Sequence, residues 1–136
     1  MYQQMIFVNL AVHDLEASKK FFTELGYSLN EQFSDDTTSS VVISDTIVLM
    51  IMTKERFGQF TKKQIADSSQ TVEALLALSA ESREKVDELV DKAIAAGGSP
   101  AGEAQEEGDF MYGRAFFDPD GHHFEVVWMD PSVVEG

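Results

Sequence analysis

The sequence contains no cysteine, so disulfide bonds, thiolate metal centres and cysteine nucleophiles are all excluded. Long apolar runs are missing as well, because the stretch at residues 47–52 is far shorter than the roughly 20 residues that a membrane helix needs. The N-terminus also lacks the basic and apolar pattern of a secretory signal. We therefore expect a cytoplasmic protein with no membrane partner.

Basic residues are scarce. Ten Lys and Arg stand against 24 Asp and Glu, which gives a formal net charge of −14. The imbalance is concentrated in the second half, where residues 69–136 carry 4 basic and 15 acidic side chains. A field of this sign repels phosphate backbones and anionic lipid surfaces. We therefore expect no nucleic-acid partner.

Glycine and proline are few, at 9 and 3 of 136 residues, while 43% of the residues are hydrophobic. This composition is typical of a folded chain and excludes a disordered or fibrous one. The length matches one domain of about 100–150 residues. The sequence therefore predicts a single domain over residues 1–136.

The same order of predicted elements occurs twice along the chain. In the first copy, at about residues 4–53, an apolar strand ends just before Asp14. Asp14 is typical of an N-cap, and the apolar spacing behind it predicts a helix over about residues 14–25. The strands that follow are predicted at residues 27–33, 41–43 and 47–52.

A polar linker with one short helix, at about residues 54–71, separates the two copies. The second copy, about residues 72–130, repeats the apolar strand and the capped helix, with Ser82 as the N-cap. Its later strands are predicted at residues 99–107, 110–117 and 123–129. The two N-caps, Asp14 and Ser82, occupy matching positions 68 residues apart, and Met50 and Glu125 occupy matching positions 75 residues apart. The sequence therefore predicts an α+β fold of tandem βαβββ repeats.

Two segments carry a resemblance to a known family: FVNLAVHDLEASKKFF near the start and FFDPDGHHFEVVWMD near the end. Together with the repeat, they resemble the vicinal oxygen chelate superfamily, which includes glyoxalase I, extradiol dioxygenases and bleomycin-resistance proteins. The resemblance covers residues 4–130 and is nearest to bacterial lactoylglutathione lyase-like proteins. It implies a curled sheet around a small-molecule cavity, and a homodimer.

The resemblance also implies four metal-ligand positions, which are usually His and Glu. In this sequence they are Phe7, Met50 or a neighbour in the apolar run at residues 47–52, Leu75 and Glu125. Phenylalanine and leucine donate nothing to a metal, and a thioether suits Cu(I) better than the usual divalent ions. We therefore expect no metal cofactor. The alternative is a divalent ion held through Glu125 and His123, with Asn9 or Glu73 as a further donor.

The candidate cavity has apolar walls and one polar end. We place Glu125 at the polar end, together with Arg114 or Tyr112. Arg114 stands out because it is the last basic residue of an acidic half. The competing interpretation is a structural ion pair between Glu125 and Arg114. The candidate ligand-binding residues are Phe7, Asn9, Met50, Leu75, Tyr112, Arg114, His123 and Glu125, with Glu125 also the candidate catalytic group.

These residues favour a protein that binds or sequesters a small aromatic or cationic compound without a metal. The alternative function is a lactoylglutathione lyase-like or dioxygenase-like metalloenzyme with an altered metal site, so catalysis is left open. The sequence has no nucleophilic serine motif, phosphate-binding glycine loop or dinucleotide fingerprint, which removes support for hydrolases, kinases and dehydrogenases.

Overall fold

The computed structural model describes residues 1–135 of the chain. It divides the chain into two compact units, the first at residues 1–65 and the second from residue 66 onward. The division falls inside the predicted linker at residues 54–71. No helix in the described part of the chain is long and apolar enough to cross a membrane. The expectation of one shared domain stays a prediction, and each unit is described by itself.

The first unit is a four-stranded mixed sheet with one main helix. Its strands lie in the order β1-β4-β3-β2, with β1 parallel to β4 and the other neighbours antiparallel. The elements are β1 (Ile6–Val12), α1 (Leu15–Glu24), β2 (Ser28–Asn30), β3 (Thr38–Val42), β4 (Ile47–Thr53) and α2 (Lys54–Phe57).

Helix α1 begins and ends where the sequence predicts. The side chain of Asp14 accepts a hydrogen bond from the backbone N–H of Ala17, which satisfies one of the free donors at the helix start. Phe21 and Phe22 are fully buried on one side of the helix. Gly26 follows with a φ of 104°, a left-handed conformation that stops the helix.

The second unit repeats this arrangement around a five-stranded sheet. Its strand order is β5-β9-β8-β6, and β7 also pairs with β8. The elements are β5 (Leu75–Ser79), α3 (Arg83–Ala95), β6 (Ser99–Pro100), β7 (Gln105–Glu107), β8 (Met111–Phe117), β9 (His123–Met129) and α4 (Pro131–Glu135). The prediction of an α+β fold built from tandem repeats is confirmed.

One difference concerns the second strand of each repeat. Residues 99–107 form two short strands instead of one, because the segment is polar and exposed and buries no apolar face. In the first repeat, the predicted strand at 27–33 ends at Asn30, whose side chain accepts from the N–H of Gln32 and caps a 3₁₀ turn. These two strand predictions were therefore wrong in extent. Local side-chain hydrogen bonds and the lack of a buried face explain why.

The strand register confirms the predicted equivalence of Met50 and Glu125. In the first sheet Met50 lies between Asn9 on β1 and a serine on β3, and in the second Glu125 lies between Ala77 on β5 and an alanine on β8. Asn9 and Ala77 differ by 68 positions, which is the offset found in the sequence. The two repeats therefore share one pattern of strand pairing.

Candidate functional site

The alternation of β9 separates a buried face from a more polar one. Phe124 and Val126 point to the side covered by α3, where they are fully buried, and His123 and Glu125 point to the other side. Residues paired across strands share a face. We therefore define the Glu125 face of the second sheet by its paired residues: Leu75, Ala77, Ala115, Phe117, His123 and Glu125.

His123 and Glu125 form the polar centre of this face. The imidazole Nε2 lies 3.6 Å from the carboxylate Oε2, and the two side chains are 19% and 35% exposed. This distance is too long for a hydrogen bond. The Nε2 atom is buried and has no hydrogen-bond partner among the described residues. The pair is therefore a half-buried polar site with unused hydrogen-bonding capacity.

Apolar side chains surround this pair. The ring of Phe117 meets the imidazole of His123 edge to face, with 5.3 Å between the ring centres. On the other side, Leu75 is paired with His123 in the strand register and is 56% exposed. Leu75 is among the site residues predicted from the sequence, whereas Phe117 is not. The DPDG turn could have indicated Phe117, because it places Phe117 opposite His123.

Arg114 and Tyr112 do not join Glu125. Arg114 is paired with Val126, so both lie on the face covered by α3. There the Nη1 atom of Arg114 donates to Asp87 and Asp91 of α3, at 3.0 Å each, and the hydroxyl of Tyr112 donates to Asp87 at 2.6 Å. The hypothesis of an ion pair between Glu125 and Arg114 is therefore wrong.

This network fixes α3 on the sheet. The hydrogen bond from Tyr112 is the largest cause that lowers the pKa of Asp87. Burial opposes it, and the hydrogen bond and charge of Arg114 add to the lowering. The same bond raises the pKa of Tyr112. The guanidinium of Arg83, the first residue of α3, lies over the rings of Tyr112 and Trp128, so Trp128 also lies on the face that α3 covers. These contacts join α3 to strands β8 and β9.

In the first unit, Phe7, Asn9 and Met50 share one face of their own sheet. Phe7 is 55% exposed, Met50 is partly buried, and the side-chain amide of Asn9 donates to the carbonyl of Phe7 at 3.3 Å. The position of His123 is occupied here by Val48, since Val48 pairs with Phe7 as His123 pairs with Leu75. The polar pair is therefore a feature of the second repeat.

The metal-ligand positions that the resemblance implies do not fit a divalent ion. The register confirms that Phe7 and Leu75 are equivalent, as are Met50 and Glu125, and of these four side chains only Glu125 carries a suitable donor. One carboxylate does not make a metal centre. No chemical step is therefore derived through a metal at these positions.

A second group of potential ligands lies in the turn between β8 and β9. Asp118, Asp120 and His122 have ligand atoms within 4.8 Å of one another. However, the Oδ1 atom of Asp118 accepts from the backbone N–H groups of Asp120 and His122, at 3.0 and 2.8 Å, and its Oδ2 atom contacts Nδ1 of His122 at 2.8 Å. The carboxylate is occupied in shaping the turn. His122 therefore contributes to the hairpin turn.

The pairing of His122 with Asp118 predicts a pH dependence of stability. Burial lowers the pKa of His122, but the hydrogen bond to Asp118 and the charges of Asp118 and Asp120 outweigh it and leave the pKa raised above 6.5. Folding therefore favours the protonated ring. This stabilisation is complete below pH 6.5 and is lost as the pH rises through the higher pKa of the folded state.

Urea unfolding at a series of pH values from about 6 to 8.5 would measure this effect. The unfolding free energy of the wild type should decline with rising pH more steeply than that of His122→Asn, which cannot titrate. Parallel pH profiles for the two proteins would contradict the assignment. The lowered carboxyl pKa of Asp87 acts at acidic pH and does not interfere.

The comparisons with known proteins agree with this fold. The family model of the Glyoxalase/Bleomycin resistance protein/Dioxygenase superfamily matches residues 4–126, and the chain belongs to that superfamily. The resemblance found in the sequence is thereby confirmed at the level of the superfamily. No curated protein matches the chain.

Solved structures give the same result. The hypothetical protein SA1046 from S. aureus is 30% identical, with 94% of each chain covered and a TM-score of 0.77. A glyoxalase-related enzyme from Fulvimarina pelagi is 23% identical over 93% of this chain and 88% of its own, with a TM-score of 0.78. The fosfomycin resistance protein FosX from Listeria monocytogenes, solved with Mn(II) and sulfate, is 20% identical over 97% and 94%, with a TM-score of 0.69. The last two likenesses establish the fold alone.

Proposed function

We propose that the protein binds a small aromatic or cationic compound, without a metal, on the Glu125 face. The observation that supports this most is the state of Glu125. Its carboxylate is 35% exposed, and the one contact that it makes with a basic side chain within residues 1–135 is the 3.6 Å approach of the His123 imidazole. A partly buried carboxylate is costly without a partner, and a cationic ligand would supply one.

The apolar neighbours support the same proposal. Leu75 is 56% exposed and Phe117 is partly exposed, so both have surface that a ligand can cover. Removing apolar surface from water contributes roughly 25 cal/mol per Å², before the costs of binding. In such a site, apolar contacts would provide affinity and the carboxylate would fix the orientation of the ligand.

A lyase-like or dioxygenase-like metalloenzyme is the rival proposal. Membership of the superfamily favours it, and FosX was solved with Mn(II). The side chains of this protein count against it, because Phe7, Met50 and Leu75 remove three of the four donors.

We also propose a cytoplasmic homodimer that binds neither nucleic acid nor membranes, on the grounds of the superfamily and the charge of −14.

Replacing Glu125 with glutamine should weaken binding far more than folding. The amide fills the same space but removes the negative charge, so affinity for an aromatic cation such as 1-naphthylmethylammonium should fall by about tenfold or more. The free energy of unfolding should change by less than about 1 kcal/mol, because the side chain is partly exposed. Titration calorimetry and urea unfolding would measure the two quantities.

Glu103→Gln is the matched control, since Glu103 is an exposed carboxylate outside the Glu125 face. It should leave both quantities unchanged. If Glu125→Gln instead lowers stability by several kcal/mol while ligands bind both proteins equally, Glu125 has a structural role and the binding proposal is wrong.

A further inference from the structure

We propose that the ligand presents an N–H-bearing cation, such as a primary ammonium group, that hydrogen-bonds to Glu125 Oε2 and His123 Nε2 together. This inference rests on the binding function proposed above and narrows its ligand class. It also assigns His123 a part in selectivity, as a residue that distinguishes a cation with N–H groups from one without them.

The starting point is the unpaired nitrogen of His123. Its Nε2 atom is buried and has no hydrogen-bond partner among residues 1–135. A buried polar atom left without a partner is costly, and native proteins usually satisfy such atoms. Nε2 faces the carboxylate of Glu125 without bonding to it, so a donor that lies between the two groups could serve both.

The distance between the two atoms fits one shared donor group. They are 3.6 Å apart, and a nitrogen lying about 2.9 Å from each would be within hydrogen-bond range of both. A carboxylate accepts hydrogen bonds, and so does Nε2 when the ring proton is on Nδ1. A primary ammonium has three N–H groups, so it can donate to both acceptors and neutralise the carboxylate.

Other occupants satisfy this pair less well. A quaternary ammonium would neutralise Glu125 but would leave Nε2 unpaired, because it has no N–H group. A neutral alcohol has one O–H and could donate to only one of the two acceptors, and a water molecule could donate to both but would leave the charge of Glu125 unneutralised. A divalent ion would find two protein donors in the pair, fewer than the three or four that protein metal centres use. An N–H-bearing cation is therefore the class that the pair fits best.

The first repeat supplies a suitable substitution for testing His123. The equivalent position on β4 is Val48, so valine is a residue that this strand position accommodates. His123→Val removes the acceptor and leaves the carboxylate of Glu125 in place. His123→Gln is a second variant, because its amide keeps a hydrogen-bonding group and covers the case in which the valine variant folds poorly.

The experiment compares two aromatic cations of the same charge, 1-naphthylmethylammonium and 1-naphthylmethyl-trimethylammonium, in the second of which three methyl groups replace the three N–H hydrogens. NMR titration of the full chain would follow the backbone amides of Ala77 and Ala115, which flank Glu125 in the sheet. The primary ammonium should bind the wild type about tenfold or more tightly than the quaternary one. His123→Val should lose most of this preference by weakening the primary ammonium alone, and His123→Gln should retain part of it. The control Glu103→Gln should behave as the wild type.

The possible outcomes separate this inference from the function on which it rests. If both probes bind equally and His123→Val has no effect, the inference is wrong and the binding function stands. If neither probe shifts the two amides, both are wrong. Stoichiometric Zn²⁺ or Mn²⁺ binding that shifts the same amides and is abolished by His123→Val would make the pair a metal site and overturn the inference.

Discussion

Asp118→Ala should lower the free energy of unfolding by about 3–5 kcal/mol, the range for removing one partner from a buried ionic pair. The side chain of Asp118 is fully buried and accepts from the backbone N–H groups of Asp120 and His122 as well as contacting the His122 ring. Alanine would remove all three of these contacts at once. Urea unfolding, followed by the fluorescence of the single tryptophan, Trp128, would measure the loss.

Asp109→Ala is the control for this variant, because Asp109 is an exposed carboxylate of the same unit. Its effect should stay within about 0.5 kcal/mol. A loss below about 1 kcal/mol for Asp118→Ala would mean that the turn between β8 and β9 does not depend on this carboxylate.

Gly121→Ala should have the second largest effect, a loss of about 2–4 kcal/mol, since strained backbone and a steric clash act together. Gly121 has a φ of 90°, and a Cβ atom added there would lie 2.5 Å from the carbonyl oxygen of Ser68. That contact cannot open freely, because the hydroxyl of Ser68 donates to the carbonyl of Asp120 at 2.6 Å. The measurement is again urea unfolding.

Gly97→Ala separates the effect of backbone strain from that of the steric clash. Gly97 also has a positive φ, of 119°, but nothing lies within 4 Å of an added Cβ atom. Its variant should lose only the cost of the left-handed conformation, about 1–2 kcal/mol. Equal losses at Gly97 and Gly121 would show that the contact with Ser68 contributes nothing.

The sequence predicted those features that depend on local chemistry. Asp14 and Ser82 cap their helices as expected, because a short polar side chain before an apolar helical stripe has few other roles. The repeat was also readable, since two strands, two caps and Met50 with Glu125 matched at fixed offsets. Such signals need no knowledge of which strands are neighbours.

The error at Arg114 had a different cause. The sequence showed that Tyr112 and Arg114 share a face of β8, but which face of β9 they match depends on the register of the hairpin. Asp118 pairs with His122 around a three-residue loop, so Ala115 lies opposite Glu125 and Arg114 lies opposite Val126. The turn sequence could have given this register. The unpaired Nε2 atom of His123 could not have been foreseen, because it depends on the contacts of a folded side chain.

The strand register that the two sheets share indicates where this chain tolerates insertions and deletions. Phe7 and its partner Val48 are 41 positions apart, whereas Leu75 and its partner His123 are 48 apart, yet the pairing is the same. The seven additional residues are absorbed by the connecting helix and loops. The entropic cost of closing a loop rises by only about 0.6 kcal/mol for each doubling of its length, so these changes in loop length cost little free energy. Length variation among relatives should therefore accumulate in the crossovers, while a single residue gained inside β9 would turn His123 and Glu125 away from their neighbours.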